Sequence, residues 1–344
     1  MLLNSVMNLL APPATMVVMA FAWPSLCFIS TCERLYNSFF ATEDMEDKVV
    51  VITGASSAIG EQIAYEYAKR KANLVLVARR DQRLHSIRSK TKQIGAKQVM
   101  IIAADVVKED ECRRFINEAF NYYGHVDHLV NTASLGHEFY FEDVSDTTVF
   151  PRLLDINFWG NVYPTYVALP YLQKSNGRII VNASVESWLP LPRMSLYSAA
   201  KAALANFYET LRFELNGDVG ITIAIHGWIG SEMSRGKFKL EEGNGGEIEE
   251  FAKMIVDGAC RGDSYVKFPS WYDVFLLYRA FTPNVLKWTF RLLLSTEATR
   301  RNYRIEKEAS TIESTPRLML EESPPPKIQA SLPKFSLQEW IESE

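Results

Sequence analysis

The stretch VVVITGASSAIG, residues 49–60, decides the fold of this chain. Its first five residues, 49–53, are apolar and β-branched, as expected for a strand that is buried on both faces of a sheet. Small residues follow from Gly54 to Gly60, and a helical pattern begins behind them. A strand, a tight turn and a helix N-terminus form a pyrophosphate site, because free N–H groups and the positive end of the helix dipole face the anion. The candidate contacts are Gly54, Ser56, Ser57, Ala58, Ile59 and Gly60.

The same alternation of short apolar runs and amphipathic stretches continues to residue 268. It predicts an α/β fold, a Rossmann-like, doubly wound parallel sheet of about seven strands. The predicted strands are Val49–Thr53, Leu74–Ala78, Val99–Ala103, His128–Asn131, Arg178–Asn182, Ile221–His226 and Tyr265–Phe268. The predicted helices are Glu61–Lys71, Asp81–Ile94, Glu109–Tyr123, Thr147–Gln173 and Tyr197–Asn216. Ligands of such sheets bind at the carboxyl ends of the strands.

The residues after the second and third strands indicate which dinucleotide is preferred. An NAD site places an acid after the second strand to bind the ribose 2′-hydroxyl, whereas an arginine accommodates the 2′-phosphate of NADP. This chain has Arg79 and Arg80 at that point, although two solvated surface arginines would give the same pattern. Asp105 follows the third strand, where a short acid can meet the adenine. We therefore expect NADP(H) as the cofactor.

A second set of polar residues predicts proton-transfer chemistry. Tyr197 and Lys201 are four residues apart, so a helix places both on one face. An ammonium beside a phenol favours the phenolate and lowers the pKa of the tyrosine, which can then transfer a proton while a nicotinamide transfers hydride. Ser184 closes the fifth strand and would hold the substrate oxygen, and Asn157 could hold a water that links Lys201 to solvent. The alternative is that Tyr197 and Lys201 have this spacing by chance and are simply exposed on one face of a helix.

Taken together, residues 48–268 resemble the short-chain dehydrogenase/reductase superfamily. The resemblance rests on the glycine-containing turn and on the Tyr-x-x-x-Lys pair with a serine thirteen residues upstream. It implies a catalytic tetrad of Asn157, Ser184, Tyr197 and Lys201, and all four residue types are present.

Three positions depart from the pattern of that superfamily. Ala58 stands where the turn usually has its second glycine, and its methyl could crowd the cofactor. Asn131-Thr132-Ala133-Ser134 replaces the usual Asn-Asn-Ala-Gly, which keeps Asn131 and Ala133 as implied cofactor contacts and adds the Ser134 side chain. His226 replaces a proline after the sixth strand, and we interpret it as a structural substitution. These changes predict weakened but surviving cofactor binding.

The closer resemblance is to plant steroleosins, which are 11-beta-hydroxysteroid dehydrogenase-like proteins. It rests on the uncharged, proline-containing N-terminus, the Ala-Arg-Arg strand end and Ser231-Glu232-Met233. It implies oxidation or reduction of a hydroxysteroid-like, lipophilic substrate, insertion of the N-terminus into oil-body lipid with Pro12, Pro13 and Pro24 in a knob, and a homodimer. The expected location is the endoplasmic reticulum membrane or the lipid droplet, with the catalytic domain on the cytosolic side.

The two ends of the chain differ from its middle in composition. No residue from Met1 to Cys32 is charged, which predicts a kinked or monotopic membrane anchor; a signal peptide and a buried helix are the alternatives. The expected organisation is an anchor at 1–32, a linker at 33–47, the catalytic domain at 48–270, a helical extension at 271–300 and a Pro-rich, mostly disordered tail at 301–344. The apolar extension suits a membrane-facing pair of helices, a dimer contact or a cap on the core.

Composition excludes several other functions. The net charge of −4 argues against a nucleic-acid partner, and the four cysteines and five histidines lack the spacing of a metal site. The sequence predicts an NADP(H)-dependent oxidoreductase of secondary alcohols and ketones. A catalytically weak lipid-droplet coat or sterol-binding protein that retains the fold is the alternative, because of the three departures in the cofactor site.

Overall fold

The computed structural model describes residues 2–40, 42–79, 81–136, 139–144, 146–189, 191–227 and 245–294. The strands are β1 (Val49–Thr53), β2 (Asn73–Ala78), β3 (Val99–Ala103), β4 (His128–Asn131), β5 (Arg178–Asn182), β6 (Gly220–His226) and β7 (Tyr265–Phe268). The α-helices are α1 (Leu2–Phe40), α2 (Ala58–Lys69), α3 (Asp81–Ile94), α4 (Glu109–Tyr123), α5 (Val149–Leu154), α6 (Gly160–Ser175), α7 (Ser195–Glu214), α8 (Gly245–Arg261), α9 (Asp273–Phe281) and α10 (Pro283–Leu294).

The seven strands form one parallel sheet in the order β3-β2-β1-β4-β5-β6-β7. This confirms the predicted Rossmann-like, doubly wound fold. The chain changes its winding direction between β1 and β4, whose ends pair Thr53 with Asn131. A ligand crevice opens at such a switch point, because the loops that follow the two strands turn to opposite faces of the sheet.

Apolar side chains cover both faces of the sheet. All residues of β1 and β2 are buried, and α2, α3 and α8 share one core cluster with them. Elsewhere in the fold, α4 packs against α6. The cluster includes residues of α8 at helical spacing, among them Ile248, Phe251, Ala252 and Ile255. Helix α8 was not predicted from the sequence, although this periodicity is typical of an amphipathic helix.

The turn between β1 and α2 depends on two glycines. Gly54 has φ +65°, and a Cβ atom on it would lie 2.6 Å from the backbone nitrogen of Ala133. A Cβ atom on Gly60 would lie 2.5 Å from the carbonyl oxygen of Gly54. Ser57 caps α2, and its hydroxyl accepts a hydrogen bond from the Gly60 N–H at 3.1 Å. The turn therefore lies directly against the segment that follows β4.

The N-terminal helix differs from its prediction. The sequence predicted a kinked or monotopic anchor at 1–32; α1 is helical through Pro12, Pro13 and Pro24 and continues to residue 40, inside the predicted linker 33–47. Each proline removes one backbone hydrogen bond, and the remaining bonds of a 39-residue helix preserve the helical conformation. Its segment Asn4–Ile29 is long and apolar enough to cross a membrane, and its side chains are not buried against the rest of the protein.

Other boundaries also differ. The predicted helix Thr147–Gln173 is α5 and α6, joined by one π-helical turn at Asp155–Trp159. The extension predicted at 271–300 is helical through α9 and α10, and residues 295–300 lie outside the described residues. The predictions for Arg80, for Ser231-Glu232-Met233 and for the tail 301–344 also fall outside them.

We predict that Gly60→Ala destabilises the protein by about 1–3 kcal/mol, because the added methyl overlaps the Gly54 backbone, which cannot rotate away. Urea unfolding of the purified protein measures the effect. Gly246→Ala is the matched control, since a Cβ atom there meets open space. The control should be neutral or stabilised by up to about 1 kcal/mol. Equal stability of the two variants would contradict the packing described for the turn.

Candidate active site

A cleft opens at the carboxyl edge of the sheet, where the loops that follow β1 and β4 diverge. It is lined by predicted cofactor contacts from four separate loops, namely Gly54, Ser56, Ser57, Arg79, Asp105 and Ala133. Ser134 and Ile156 complete the side of the cleft that faces the predicted tetrad. The parallel register brings these loops together, because each of them follows the carboxyl end of a strand.

The shape and donors of the cleft fit a dinucleotide. Gly54 has no side chain, so a ligand can approach the backbone of the turn closely. The N-terminus of α2 supplies N–H groups and the positive end of the helix dipole for a phosphate group. Arg79 is exposed at the end of β2, where a 2′-phosphate would lie. Ala58 packs its methyl against the core cluster, so the structure does not support the expected crowding of the cofactor.

Asn131 has a different environment from the one that its predicted role requires. Its side-chain amide donates to the Asn161 carbonyl at 3.1 Å, to Thr165 Oγ1 at 2.9 Å and to the Tyr208 hydroxyl at 3.2 Å. Its Oδ1 accepts a hydrogen bond from Thr53 Oγ1 at 3.2 Å. This fully buried side chain therefore ties β4 to β1, α6 and α7, and it does not project into the cleft.

The four predicted catalytic residues come together beside the cleft. Ser184 follows β5, Tyr197 and Lys201 lie in the first turns of α7, and Asn157 lies in the π-helical turn. All four are at most 1% exposed, so their chemistry takes place in a region of low dielectric constant. The Lys201 Nζ atom lies 5.7 Å from the centre of the Tyr197 ring and donates to the Asn182 carbonyl at 2.7 Å.

Ser134 connects this group to the cleft. Its hydroxyl donates to Asn157 Oδ1 at 2.8 Å and lies beside the Tyr197 hydroxyl. The side chain of Asn157 has further protein partners: Nδ2 donates to the carbonyls of Leu135 and Leu153, and Oδ1 accepts from the Leu135 N–H. This amide cannot hold the water that the sequence predicted for it, because each of its polar atoms already has a protein partner.

A buried carboxylate lies on the other side of the tyrosine. Glu186 is 4% exposed and accepts a hydrogen bond from the Ser184 hydroxyl, which lies beside Tyr197. His226, at the end of β6, is equally buried and its Nδ1 donates to the Gly227 carbonyl at 2.8 Å. Burial lowers the pKa of His226, although the Gly227 carbonyl and Glu186 oppose this. The substitution of proline by His226 therefore leaves a neutral imidazole near the site.

Burial also changes the protonation expected for the central pair. Burial raises the pKa of Tyr197 well above the ordinary value, and the nearby Glu186 charge raises it further, against the lowering effect of the neighbouring Ser134 and Ser184 hydroxyls. Burial lowers the pKa of Lys201 to about 7, opposed by Glu186. The expectation that an ammonium at Lys201 lowers the pKa of Tyr197 is thus wrong for the free protein, because desolvation disfavours both charged forms.

Two residues of the site were missed or undervalued in the sequence. Glu186 carries no motif signal, and only its position two residues after Ser184 could have marked it. Ser134 was recognised as a departure from the usual glycine, but its contact with both Asn157 and Tyr197 depends on folding. Among the described residues, no group of three or more His, Cys, Asp or Glu side chains is placed to hold a metal ion.

Comparison with known proteins agrees with this geometry. A family model described as short chain dehydrogenase matches residues 48–242. The chain belongs to the short-chain dehydrogenase/reductase family of oxidoreductases. Among solved structures, an alcohol dehydrogenase of the archaeon Thermococcus sibiricus, complexed with 5-hydroxy-NADP, is similar with a TM-score of 0.57 and 26% identity, over 66% of this chain and 98% of its own.

Plant relatives show which members of the short-chain dehydrogenase/reductase family this chain is similar to. The 11-beta-hydroxysteroid dehydrogenase-like 5 protein of Arabidopsis thaliana is 76% identical over 341 residues, which cover 94% of this chain and 88% of the relative. The 11-beta-hydroxysteroid dehydrogenase B of Sesamum indicum is 68% identical, with 87% of this chain and 86% of the relative covered. The resemblance to plant 11-beta-hydroxysteroid dehydrogenase-like proteins is therefore confirmed.

We predict a distinctive dependence of stability on pH. Between pH 7 and about 10 the unfolded chain holds a proton at Lys201 that the folded chain has lost. The free energy of unfolding should therefore rise with pH in this window, by at most about 1.4 kcal/mol per unit from this residue. Urea titrations at several pH values should show a steeper rise for wild type than for Lys201→Met.

An exposed lysine of α8 provides the control for this experiment. Lys253→Met should follow the wild-type dependence on pH throughout the window. Parallel curves for wild type and Lys201→Met would contradict a neutral, buried amine at this position.

Proposed function

We propose that this protein is an NADP(H)-dependent oxidoreductase that interconverts a secondary alcohol and a ketone on a hydroxysteroid-like, lipophilic substrate. One observation carries the proposal: Ser134 lines the cleft and lies beside the Tyr197 hydroxyl, so the proton-transferring phenol adjoins the cleft. A nicotinamide held there would supply or accept the hydride.

Four residues of the chain would transfer the proton and position the substrate. Tyr197 would give its proton to the ketone oxygen during reduction, or take it from the alcohol during oxidation. Ser184 would hold the substrate oxygen beside the phenol. Lys201, whose pKa lies near 7, would return a proton to the site, and Asn157 would fix the loop of Ser134 through its hydrogen bonds. Burial excludes bulk water from all of them.

The preference for NADP(H) rests on Arg79. This side chain lines the cleft after β2, and the 2′-phosphate is the group that distinguishes NADP from NAD at this point. Arg80 would assist from the next position. The archaeal alcohol dehydrogenase with a bound NADP derivative supports the same choice, and the names of the plant relatives support a hydroxysteroid-like substrate.

We also place the protein at a lipid surface, the endoplasmic reticulum membrane or the lipid droplet, with the catalytic domain facing the cytosol. The support is α1, whose exposed side chains include Leu9, Met16, Phe21 and Phe28. Burial of such side chains in hydrocarbon is favourable by about 25 cal/mol per Å². A lipophilic substrate that partitions into the same lipid would be concentrated near the enzyme.

We predict that Tyr197→Phe lowers kcat/KM by at least about 100-fold, because the hydroxyl that would exchange a proton with the substrate is removed. The assay combines a panel of hydroxysteroids and ketosteroids with NADP(H) and NAD(H), and uses the full-length protein in detergent. Tyr122→Phe, on the exposed face of α4, is the matched control and should retain wild-type activity.

Two outcomes of this assay would contradict the proposed oxidoreductase activity. Equal turnover by wild type and Tyr197→Phe would exclude the phenol from the reaction. Steroid binding without turnover by the wild type would instead favour the lipid-droplet coat or sterol-binding protein.

We predict that deletion of residues 2–32 moves the protein from the membrane fraction to the soluble fraction, because the apolar helical segment Asn4–Ile29 is lost. Flotation with phospholipid vesicles measures the change. A matched variant replaces Trp288 and Leu292, which are exposed on α10, with serine, and should still float. If the deletion variant floats and the serine variant does not, the extension at α9 and α10 is the anchor.

A further inference from the structure

The four cysteines of the chain divide into two pairs with opposite surroundings. Cys27 and Cys32 are exposed on α1. Cys112 of α4 and Cys260 of α8 are buried in the catalytic domain. Burial raises the pKa of the Cys112 thiol to about 12 and that of the Cys260 thiol to about 11. Because the thiolate is the reactive form of cysteine, the buried pair is inert at neutral pH, and chemistry at sulfur can reach only the exposed pair.

The exposed pair lies at one end of the apolar segment of α1. Cys27 precedes the end of the segment Asn4–Ile29 and Cys32 follows it, and the first charged residue of the chain, Glu33, comes next. With a rise of about 1.5 Å per residue, Cys27 is about 3 Å inside this end and Cys32 about 4.5 Å beyond it. The headgroup region of a bilayer is about 5–7 Å deep on each side. When the segment is embedded in lipid, both thiols therefore lie where hydrocarbon meets the headgroups.

Helix geometry keeps these two thiols apart. Two Cα atoms five residues apart in an α-helix are separated by about 8.7 Å, which exceeds the distance of about 6.8 Å that a disulfide can span. The two side chains also leave the helix axis in directions about 140° apart. Thr31, between them, donates its hydroxyl hydrogen to the Cys27 carbonyl at 2.7 Å, so this polar group has a partner without water.

We propose that Cys27 and Cys32 are sites of S-acylation, at which each thiol carries a long-chain fatty acid as a thioester. Exposed cysteines beside a membrane segment are the typical targets of this reversible modification. The inference rests on the proposed location of α1 in lipid, because that location places the acyl donor, the acyl chain and the thiols together.

The reaction needs one co-reactant, a long-chain acyl-coenzyme A thioester. The cysteine sulfur attacks the acyl carbon, a new carbon–sulfur bond forms, and the bond between the acyl carbon and the sulfur of coenzyme A breaks. The proton of the cysteine thiol passes to the released coenzyme A, and nothing is oxidised or reduced. Both cysteines lie at the end of the segment that leads to β1, so they are on the membrane face that carries the catalytic domain.

Two acyl chains at these positions would fix the depth of α1 in the lipid. They would enter the hydrocarbon on different sides of the helix and add buried methylene groups at the end nearest the catalytic domain. Helix α1 continues to residue 40 beyond the apolar segment, and acylation would mark the point at which it leaves the lipid. Hydrolysis of the thioesters would release this restraint and keep the apolar segment Asn4–Ile29 in place.

The direct test is metabolic labelling of the full-length protein, expressed in plant cells that are fed an alkyne-tagged palmitate. The tag on the purified protein is quantified before and after treatment with neutral hydroxylamine, which cleaves thioesters. Wild type should carry a label that hydroxylamine removes. Cys27→Ser and Cys32→Ser should each retain about half of it, and the double variant less than about a tenth.

The buried cysteines provide the matched controls. Cys112→Ala and Cys260→Ala each remove a thiol of the same chain and should keep the full label, because neither thiol is accessible. The thermal midpoint verifies that each variant is folded. As a second measurement, hydroxylamine should make Cys27 and Cys32 of the native wild type reactive toward a maleimide, while Cys112 and Cys260 stay unreactive.

The outcomes separate acylation from the proposed location and activity. A wild type that floats with phospholipid vesicles but carries no label would overturn acylation and leave the lipid location intact. Label that persists in the double serine variant would overturn the assignment to these two cysteines. A wild type that neither floats nor carries label would contradict the location and acylation together. The double serine variant keeps the apolar segment and should still float, and no readout depends on turnover of a steroid.

Discussion

The close approach of two backbone segments determines both the fold and the site. Gly54 lies so near Ala133 that any side chain at position 54 would collide with the backbone after β4. The approach places the N-terminus of α2 beside the loop that carries Ser134, at the point where the sheet changes its winding direction. The same cleft is therefore lined by the turn after β1 and by Ser134, which lies beside Tyr197.

Burial then controls the chemistry of the residues behind the cleft. Ser184, Tyr197, Lys201 and Asn157 are almost completely shielded, and the Ser184 hydroxyl, the Lys201 amine and the Asn157 amide all donate to acceptors within the protein. Burial of this kind favours the neutral phenol of Tyr197 and lowers the pKa of the Lys201 amine to about 7, so the two residues do not form an ion pair of phenolate and ammonium. Binding of a charged cofactor beside them would be the event that alters this balance.

The sequence predicted the whole sheet because strands buried on both faces are continuous apolar runs, and all seven lie within one residue of their predicted bounds. It missed α8, although apolar residues recur there at helical spacing, and it missed the π-helical turn at Asp155–Trp159, which depends on packing. The resemblance to the short-chain dehydrogenase/reductase superfamily implied the tetrad, and the fold brings its four residues together. The sequence could not identify Glu186, because the acceptor of the Ser184 hydrogen is decided by side-chain rotamers that only the folded chain defines.

We expect the cleft between β1 and β4 to be a dinucleotide site that selects the 2′-phosphate through Arg79. Fluorescence titration of the full-length protein with NADPH and with NADH measures this selection. Both should bind in a saturable manner, with NADPH at least about tenfold tighter, and the difference should be lost in Arg79→Ala, since one charge-assisted hydrogen bond is worth about 1.5–3 kcal/mol. Failure of NADPH to bind in a saturable manner would contradict this expectation.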